Sequence, residues 1–232
     1  MVSTGMAGII AALSADGARG LAGVPAGTCA QLLDVTGLAV SVLAARSGHE
    51  MVWRTDKASA RLDDLQFTLG QGPGVDAAAA GEMVLEPDLA TVPTRRWEMF
   101  APAAVELGVR AVFAVPLQIG AIRLGVLLAY REAPGPMGHG ALTDTLAFAD
   151  AATGALLGHG SGPGAPDWLA DQPTGYRAQV HQATGMITVQ LGVAPADALV
   201  RLRAHAFSQR RALTDVAADV VARRLRFDND TE

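Results

Sequence analysis

The sequence predicts an α+β domain with an antiparallel sheet flanked by helices, followed by a separate all-α domain of three helices. Three observations support this prediction. Up to about residue 131, short apolar runs bounded by Gly and Pro alternate with segments of helical spacing. Residues 160–173 are rich in Gly and Pro and lack periodicity, as linkers do. Residues 176–227 carry eight arginines against three acidic residues, whereas residues 1–175 carry ten basic and seventeen acidic ones.

The apolar spacing and the turn residues place each element of the first domain, residues 1–159. Helices are predicted over 6–13, 25–37, 58–69, 95–107 and 139–158, with a further small helix within 75–90. Strands are predicted over 38–45, 50–55, 83–85, 110–118 and 121–131, of which the last two form the central hairpin of the sheet. Gly70 to Gly74 form a cluster of helix breakers between the third helix and the short third strand.

The second domain, residues 174–227, is predicted as three helices, with 228–232 as a tail. Its first helix carries an apolar stripe at steps of three and four, close to the spacing of a coiled-coil seam. The stripe comprises Tyr176, Val180, Ala183, Ile187 and Leu191. Pro195 opens the second helix, and a break at Arg210 and Arg211 leads to the third. The stripe needs a partner surface, which predicts a homodimer.

Composition excludes several classes of protein. Cys29 is the single cysteine, so a disulfide framework and a multi-cysteine zinc site are excluded. No run approaches the roughly 18 apolar residues of a membrane span, and the N-terminus lacks the basic residues of a signal peptide. A cytoplasmic protein without membrane association is expected. No catalytic arrangement, metal cluster or phosphate loop stands out, so neither an enzyme nor a cofactor is expected.

Two stretches of the first domain carry a family resemblance. The run LQFTLGQGPGVDAAAAGEMVLEPDL and the run RWEMFAPAAVELGVRAVFAVPLQIGAIRLGVLLAYR resemble the GAF domains of actinobacterial regulators, over roughly residues 25–158. The resemblance implies a sensory domain with a six-stranded antiparallel sheet. Helices would cover one face of that sheet, and the other would hold a small-ligand pocket or a dimer surface. The cysteine that often follows Gly-Pro in this subgroup is Gly74 here, which argues against a thiol-based sensor.

Six residues are candidates for the border of a GAF ligand pocket. They are Gly72, Pro73, Gly74, Asp88, Trp97 and Phe100. Two interpretations stay open for them. The glycines and Pro73 either only punctuate the loop or border the pocket together with Asp88. The two aromatic residues either belong to the core or stack on a ligand. The spacing Gly-x-Gly-Pro-Gly, with no strand leading into it, excludes a dinucleotide fingerprint.

The second domain resembles the ANTAR domain, a three-helix output module that binds RNA hairpins and prevents transcription termination. The residues that carry the resemblance are Ala183, Gly185, Met186, Ile187, Gly192, Ala198, Leu202, Arg203, Ala206, Leu213, Asp215, Val216 and Ala217. Two departures weaken the cationic character of the first helix. Thr184 occupies a position that is usually Lys, and Val189 with Gln190 replaces a pair that is often charged.

The resemblance makes seven residues candidates for RNA contact. They are Ala183, Thr184, Gly185, Gln190, Arg203, Arg210 and Arg211. The arginines would supply phosphate contacts, and Thr184 and Gln190 neutral hydrogen-bond donors. In a helix interior, glycine is less stable than alanine by about 1 kcal/mol, so the presence of Gly185 calls for an explanation. Either another helix or a ligand approaches closely there. The terminal arginines would add to this RNA affinity, and the alternative is that Arg201, Arg223, Arg224 and Arg226 lie on solvated helix faces.

The expected function is a signal- or ligand-responsive RNA-binding regulator of transcription antitermination. Under this hypothesis the GAF domain senses an unidentified small molecule and a homodimer presents two ANTAR domains to a tandem-hairpin leader RNA. The alternative is a dimeric sensory or protein-interaction module whose ANTAR-like domain has little or no RNA affinity. Loss of the lysine at position 184 and of the charged pair at 189 and 190 is the observation behind that alternative.

Overall fold

A computed structural model describes residues 1–15, 20–44, 48–159 and 175–227. Contacts divide the chain into two compact units, Met1–Val42 with Met51–Ala170 and Leu43–Glu50 with Asp171–Glu232. The predicted linker 160–173 and tail 228–232 lie outside the described residues. The exact boundaries of the two domains therefore stay predictions.

Five strands form one antiparallel sheet in the described part of the chain. They are β1 (Gly37–Ala44), β2 (Gly48–Arg54), β3 (Val84–Glu86), β4 (Ala111–Ile119) and β5 (Ile122–Arg131). Their order is β2-β1-β5-β4-β3, with β5 paired to both β1 and β4. The turn at Gly120, which has φ +57°, joins β4 to β5 and makes the predicted central hairpin.

The six-stranded sheet implied by the GAF resemblance is corrected to five strands among the described residues. After β3 the chain does not return as another strand. Asp88 accepts a hydrogen bond from the N–H of Ala90 and caps a short 3-10 helix, Leu89–Thr91. Pro87 and Pro93 flank this turn and lack the N–H that a strand would need.

Helices cover both faces of the sheet. The helices of the first unit are α1 (Thr4–Ala15), α2 (Ala26–Leu32), α3 (Lys57–Leu69), α4 (Pro73–Ala80), α5 (Phe100–Glu106) and α6 (His139–His159). Alternate residues of β4 point into two separate cores, with Phe113 packing among residues of α1, α2 and α6, and Val112 among residues of α3, α4 and α5. The resemblance implied helices on one face only. Burial on both faces explains why the strands read as nearly continuous apolar runs.

Two helix boundaries differ from those predicted. α2 ends at Leu32, because Asp34 adopts a left-handed φ of +52° and Thr36 donates its N–H to the Tyr130 carbonyl of the sheet. α5 begins at Phe100 and not at residue 95, because Trp97 has a φ of +54°. Both residues occupy a backbone region that a helix cannot continue through.

Three helices form the second unit as predicted: α7 (Gly175–Leu191), α8 (Pro195–Ser208) and α9 (Leu213–Val221). Val180, Ala183 and Ile187 of the α7 stripe are fully buried, and α8 and α9 both pack on this helix. The stripe therefore has its partner within the chain. It no longer supports the homodimer that was predicted from it.

No single helix in the described ranges is both long and apolar enough to cross a membrane. α7 and α8 pass that test only as a pair, and they bend by 106° at the break between them.

The close approach of β5 to β1 gives a stability prediction. A Cβ added at Gly125 would overlap the backbone carbonyl oxygen of Ser41, whereas one added at Gly154 in α6 would meet open space. We expect G125A to lower the free energy of unfolding by about 1–3 kcal/mol or more. G154A should raise it by about 0.5–1 kcal/mol, because alanine is the better helix former. Urea titration followed by circular dichroism measures both, and equal stability of the two variants would contradict the prediction.

Candidate nucleic-acid interface

The predicted pocket loop of the first unit is closed against α3. The backbone N–H of Gly74 donates to Gln66 Oε1 at 2.6 Å, and both Pro73 and Gly74 are buried. A Cβ added at Gly72 would come within 2.6 Å of the same oxygen, and its φ of +130° favours glycine. These contacts favour the interpretation of the loop as a structural punctuation that starts α4 at Pro73.

The other three pocket candidates also hold the fold together. Asp88 pairs with Arg110, whose Nη2 lies 2.9 Å from Asp88 Oδ2. Trp97 and Phe100 are buried and meet edge to face, with ring centroids 6.1 Å apart. Trp97 Nε1 donates to Asp76 Oδ2 at 2.9 Å. The two aromatic rings are core residues of the face covered by α3, α4 and α5.

An open groove of about 660 Å³ lies beside α4 and the edge strand β3 in the first unit. It is lined by Asp76, Ala79, Ala80, Glu82, Met83, Val84, Leu85 and Arg96. The guanidinium of Arg96 stacks on the Trp97 ring at 4.1 Å and lies 3.5 Å from a carboxylate oxygen of Glu86. None of the six predicted pocket residues lines this groove. The acidic residues Asp76 and Glu82, which follow Pro73, are the sequence signal that could have indicated this groove.

Two of the predicted RNA contacts lie inside the helical unit. Ala183 is fully buried and Thr184 is 3% exposed. The hydroxyl of Thr184 donates to the Val180 carbonyl of its own helix at 2.8 Å. The structure therefore corrects the assignment of both residues as RNA contacts, because they face the packed core and the donor of Thr184 is already used.

The side chain of Arg203 is half-buried. Burial lowers the pKa of its guanidinium to about 10. The group remains charged at neutral pH on this half-buried side chain of α8. The assignment of Arg203 as a phosphate contact stays a prediction.

Arg210 and Arg211 lie exposed at the junction of α8 and α9. Arg210 has a left-handed φ of +53°, which ends α8. Arg211 Nη2 lies 2.6 Å from Asp219 Oδ2, and Arg224 Nη2 lies 2.7 Å from Asp219 Oδ1. Hydrogen bonds from Arg211 and Arg224 lower the pKa of Asp219. One carboxylate thus holds two guanidinium groups together at the surface and neutralises only one of them.

Gly185 opens onto the second groove, of about 650 Å³. The groove is lined by Gln182, Gly185, Met186, Val189, Gln190, Arg223 and Arg226. A Cβ added at Gly185 would meet no atom within 4 Å. Of the two explanations for this glycine, close packing of another helix is not found among the residues described. The approach of a ligand there stays a prediction.

Comparison with known proteins assigns both units. Residues 175–221 match the family model of the ANTAR domain. The fold of the first unit is similar to the GAF domain of an Acinetobacter phosphoenolpyruvate-protein phosphotransferase, with a TM-score of 0.52 and 15% identity over 68% of this chain and 95% of that chain. The chain thus combines a unit with the fold of a GAF domain and a region that matches the ANTAR family model. A search of curated proteins finds no significant match.

Two further solved structures are similar over the same region. A phycoerythrobilin-bound GAF domain from a cyanobacterial phytochrome has a TM-score of 0.49 and 13% identity, covering 68% of this chain and 97% of that one. The GAF domain of a phosphoenolpyruvate-protein phosphotransferase from Coxiella burnetii has a TM-score of 0.46 and 11% identity, covering 67% and 95%.

The groove of the ANTAR domain contains two of the terminal arginines. The sequence left open whether Arg223 and Arg226 contribute to RNA affinity or only lie on solvated helix faces, and both line the groove. Arg223 adopts a left-handed φ of +60° directly after α9, which turns the chain back. The Phe227 N–H donates to Gln190 Oε1 at 2.9 Å, so part of the Gln190 side chain serves this contact. The pair of arginines three residues apart, followed by an aromatic residue, was the available signal.

The exposed helical glycine gives a second stability prediction. Because its Cβ would meet open space, G185A should raise the free energy of unfolding of the ANTAR domain by about 0.5–1 kcal/mol through helix propensity alone. Urea or thermal unfolding of the full chain measures this gain. A destabilised G185A would show that something packs on Gly185 within the free protein, and would contradict the open groove.

Proposed function

We propose that the chain is an RNA-binding regulator of transcription antitermination. Its ANTAR domain binds hairpin RNA, and its GAF unit responds to a signal or a small ligand. The observation that supports this proposal best is the groove along α7, with a bare glycine on one side and two arginines on the other. An RNA-binding site needs a surface that the RNA can approach closely and cations that contact its phosphates.

The lining of the groove suits an unpaired stretch of RNA. Val189 is 84% exposed and Met186 lies beside it, which gives an apolar surface for a base. The amide groups of Gln182 and Gln190 border this surface and can hydrogen-bond to base edges. Sequence-specific recognition of RNA uses loops and bulges, because the major groove of a duplex is too narrow for side chains. The stems would then contribute through their phosphates.

The cations of the ANTAR domain extend beyond the groove. Arg201, Arg210, Arg211 and Arg224 are exposed in addition to the two groove arginines. Asp219 fixes two of them side by side. The first 175 residues carry a net negative charge and would repel RNA. This distribution supports a role in which the ANTAR domain alone contacts nucleic acid, in the cytoplasm where transcripts are made.

The GAF unit is proposed as the sensor. The groove beside β3 combines the carboxylates of Asp76 and Glu82 with the exposed apolar side chains of Met83 and Leu85. That mixture suits a small amphipathic ligand. Cys29 is fully buried and burial raises the pKa of its thiol to about 12, which supports a sensor that does not use this thiol. A regulatory and not a catalytic role follows from this assignment.

RNA binding is tested by filling the groove. G185L places a bulky side chain where the ligand is proposed to approach, and we expect it to weaken binding of a tandem-hairpin RNA on the order of tenfold or more, equivalent to about 1.4 kcal/mol. G154L is the matched control, because Gly154 is also an exposed helical glycine with open space at its Cβ. A mobility-shift titration of the full chain measures both variants.

The outcomes of that titration separate the two functions. Equal affinity of wild type and G185L would place the RNA elsewhere. If the wild-type chain binds no tighter than an unrelated acidic protein at ~0.15 M salt, the alternative function as a sensory or protein-interaction module is favoured. Unchanged far-ultraviolet circular dichroism of G185L keeps the result interpretable.

Homodimerisation is part of the proposal, and the surface proposed for it lies on α8. Val200 is 59% exposed and Phe207 is 67% exposed, and a spacing of seven residues puts them on one side of the helix. A second copy of the chain would cover both. We expect V200S/F207S to reduce the dimer fraction in sedimentation velocity at micromolar concentration. L146S, which removes an exposed leucine of α6, is the control, and a monomeric wild type would contradict the proposal.

A further inference from the structure

The segment 222–227 lies outside the residues that match the ANTAR family model, yet it forms one side of the groove. It follows α9 and reverses direction at Arg223. Two contacts fix its end: the Phe227 N–H donates to Gln190 of α7, and the Phe227 ring meets the His205 ring of α8 with centroids 5.2 Å apart. The segment is therefore fastened to two helices of the domain at once.

With the segment held in this way, its three arginines have different contacts. Arg224 turns toward Asp219, where it joins the cluster with Arg211. Arg223 and Arg226 turn into the groove and are exposed. Neither has an ion pair with any residue within 1–15, 20–44, 48–159 or 175–227. Two guanidinium groups thus face the same open space as Gly185, with their charge uncompensated by a described neighbour.

We propose that this segment is the second wall of the RNA site, with Arg223 and Arg226 each contacting a phosphate and Phe227 as the positioning residue that holds them there. This inference rests on the proposed RNA-binding function and adds to it the residues that bind the backbone. Guanidinium groups match phosphate oxygens in a bidentate manner. A strand entering the groove would place its sugar-phosphate backbone on this wall and its bases toward Gly185, Met186 and Val189.

Salt dependence measures the inference directly. Each phosphate that a protein neutralises adds about 0.7–0.9 to the slope of log K against log salt concentration. R223Q/R226Q in the full chain should therefore lower the magnitude of that slope by roughly 1.4–1.8. R61Q/R95Q is the matched control: it removes the same charge from two exposed positions of the GAF unit and should leave the slope unchanged.

The role of Phe227 is tested without removing a charge. F227A keeps both arginines but loses the ring contact with His205, so we expect a smaller slope and faster hydrogen exchange of the amides of 222–227. F227Y retains an aromatic ring and should restore the wild-type slope. Thermal unfolding of each variant confirms that the bundle is intact. A purely structural role would change the unfolding temperature and leave the slope as it is.

The outcomes distinguish this inference from the function on which it rests. If the wild-type chain fails to bind tandem-hairpin RNA, the proposed function is wrong and the inference falls with it. If wild type binds and R223Q/R226Q shows the wild-type slope, the function stands and the inference is overturned. Equal losses in R223Q/R226Q and R61Q/R95Q would also overturn it, because net charge and not position would then be responsible.

Discussion

Burial of the sheet on both faces is the constraint on which the first unit depends. Leu38, Phe113 and Leu127 fill the core under α1, α2 and α6, while Val112 and Leu128 fill the core under α3, α4 and α5. The face that the GAF resemblance assigned to a pocket is occupied by Trp97, Phe100 and Leu62. At the sheet edge beside β3, polar and apolar side chains are exposed together in the groove proposed for a ligand.

A different constraint governs the ANTAR domain. Each of its three short helices buries one apolar side and leaves the other side exposed. The α7 stripe, Leu202 and Val216 satisfy the interior. The eight arginines then divide by position. Arg177 is buried, Arg203 is half-buried, and Arg201 and Arg210 are exposed. Asp219 pairs with Arg211 and Arg224, and Arg223 and Arg226 line the groove. Composition alone shows an excess of positive charge. Only the packing shows which part of that excess a ligand can reach.

The order of elements could be predicted from the sequence because apolar spacing is local. Nearly every helix and strand was expected within a few residues of where it lies, and the errors occur where tertiary contacts override spacing, as at Asp34 and Trp97 with their positive φ. The site could be predicted only in part. Gly185 stood out because a helix penalises glycine. The position of Arg223 and Arg226 in the groove could not be predicted, because it depends on a reversal after α9 and on the docking of Phe227. Residues joined by such contacts are distant in sequence, and their proximity leaves no periodic signal.

The departures from the family pattern in α7 gain a physical meaning from this arrangement. Position 184 is buried, so a lysine there would have to extend its charged end out of the packed interior, and threonine instead closes a hydrogen bond within the helix. Position 190 carries no charge, but its amide oxygen accepts the bond that fixes the terminal segment. α7 has few cations of its own, but Gln190 of α7 helps to position the segment that carries Arg223 and Arg226. Alanine at 185 would stabilise the helix, and neutral residues at 223 and 226 would relieve the repulsion between the two arginines, so the proposed RNA contact gives a physical reason for a glycine and two arginines in this groove.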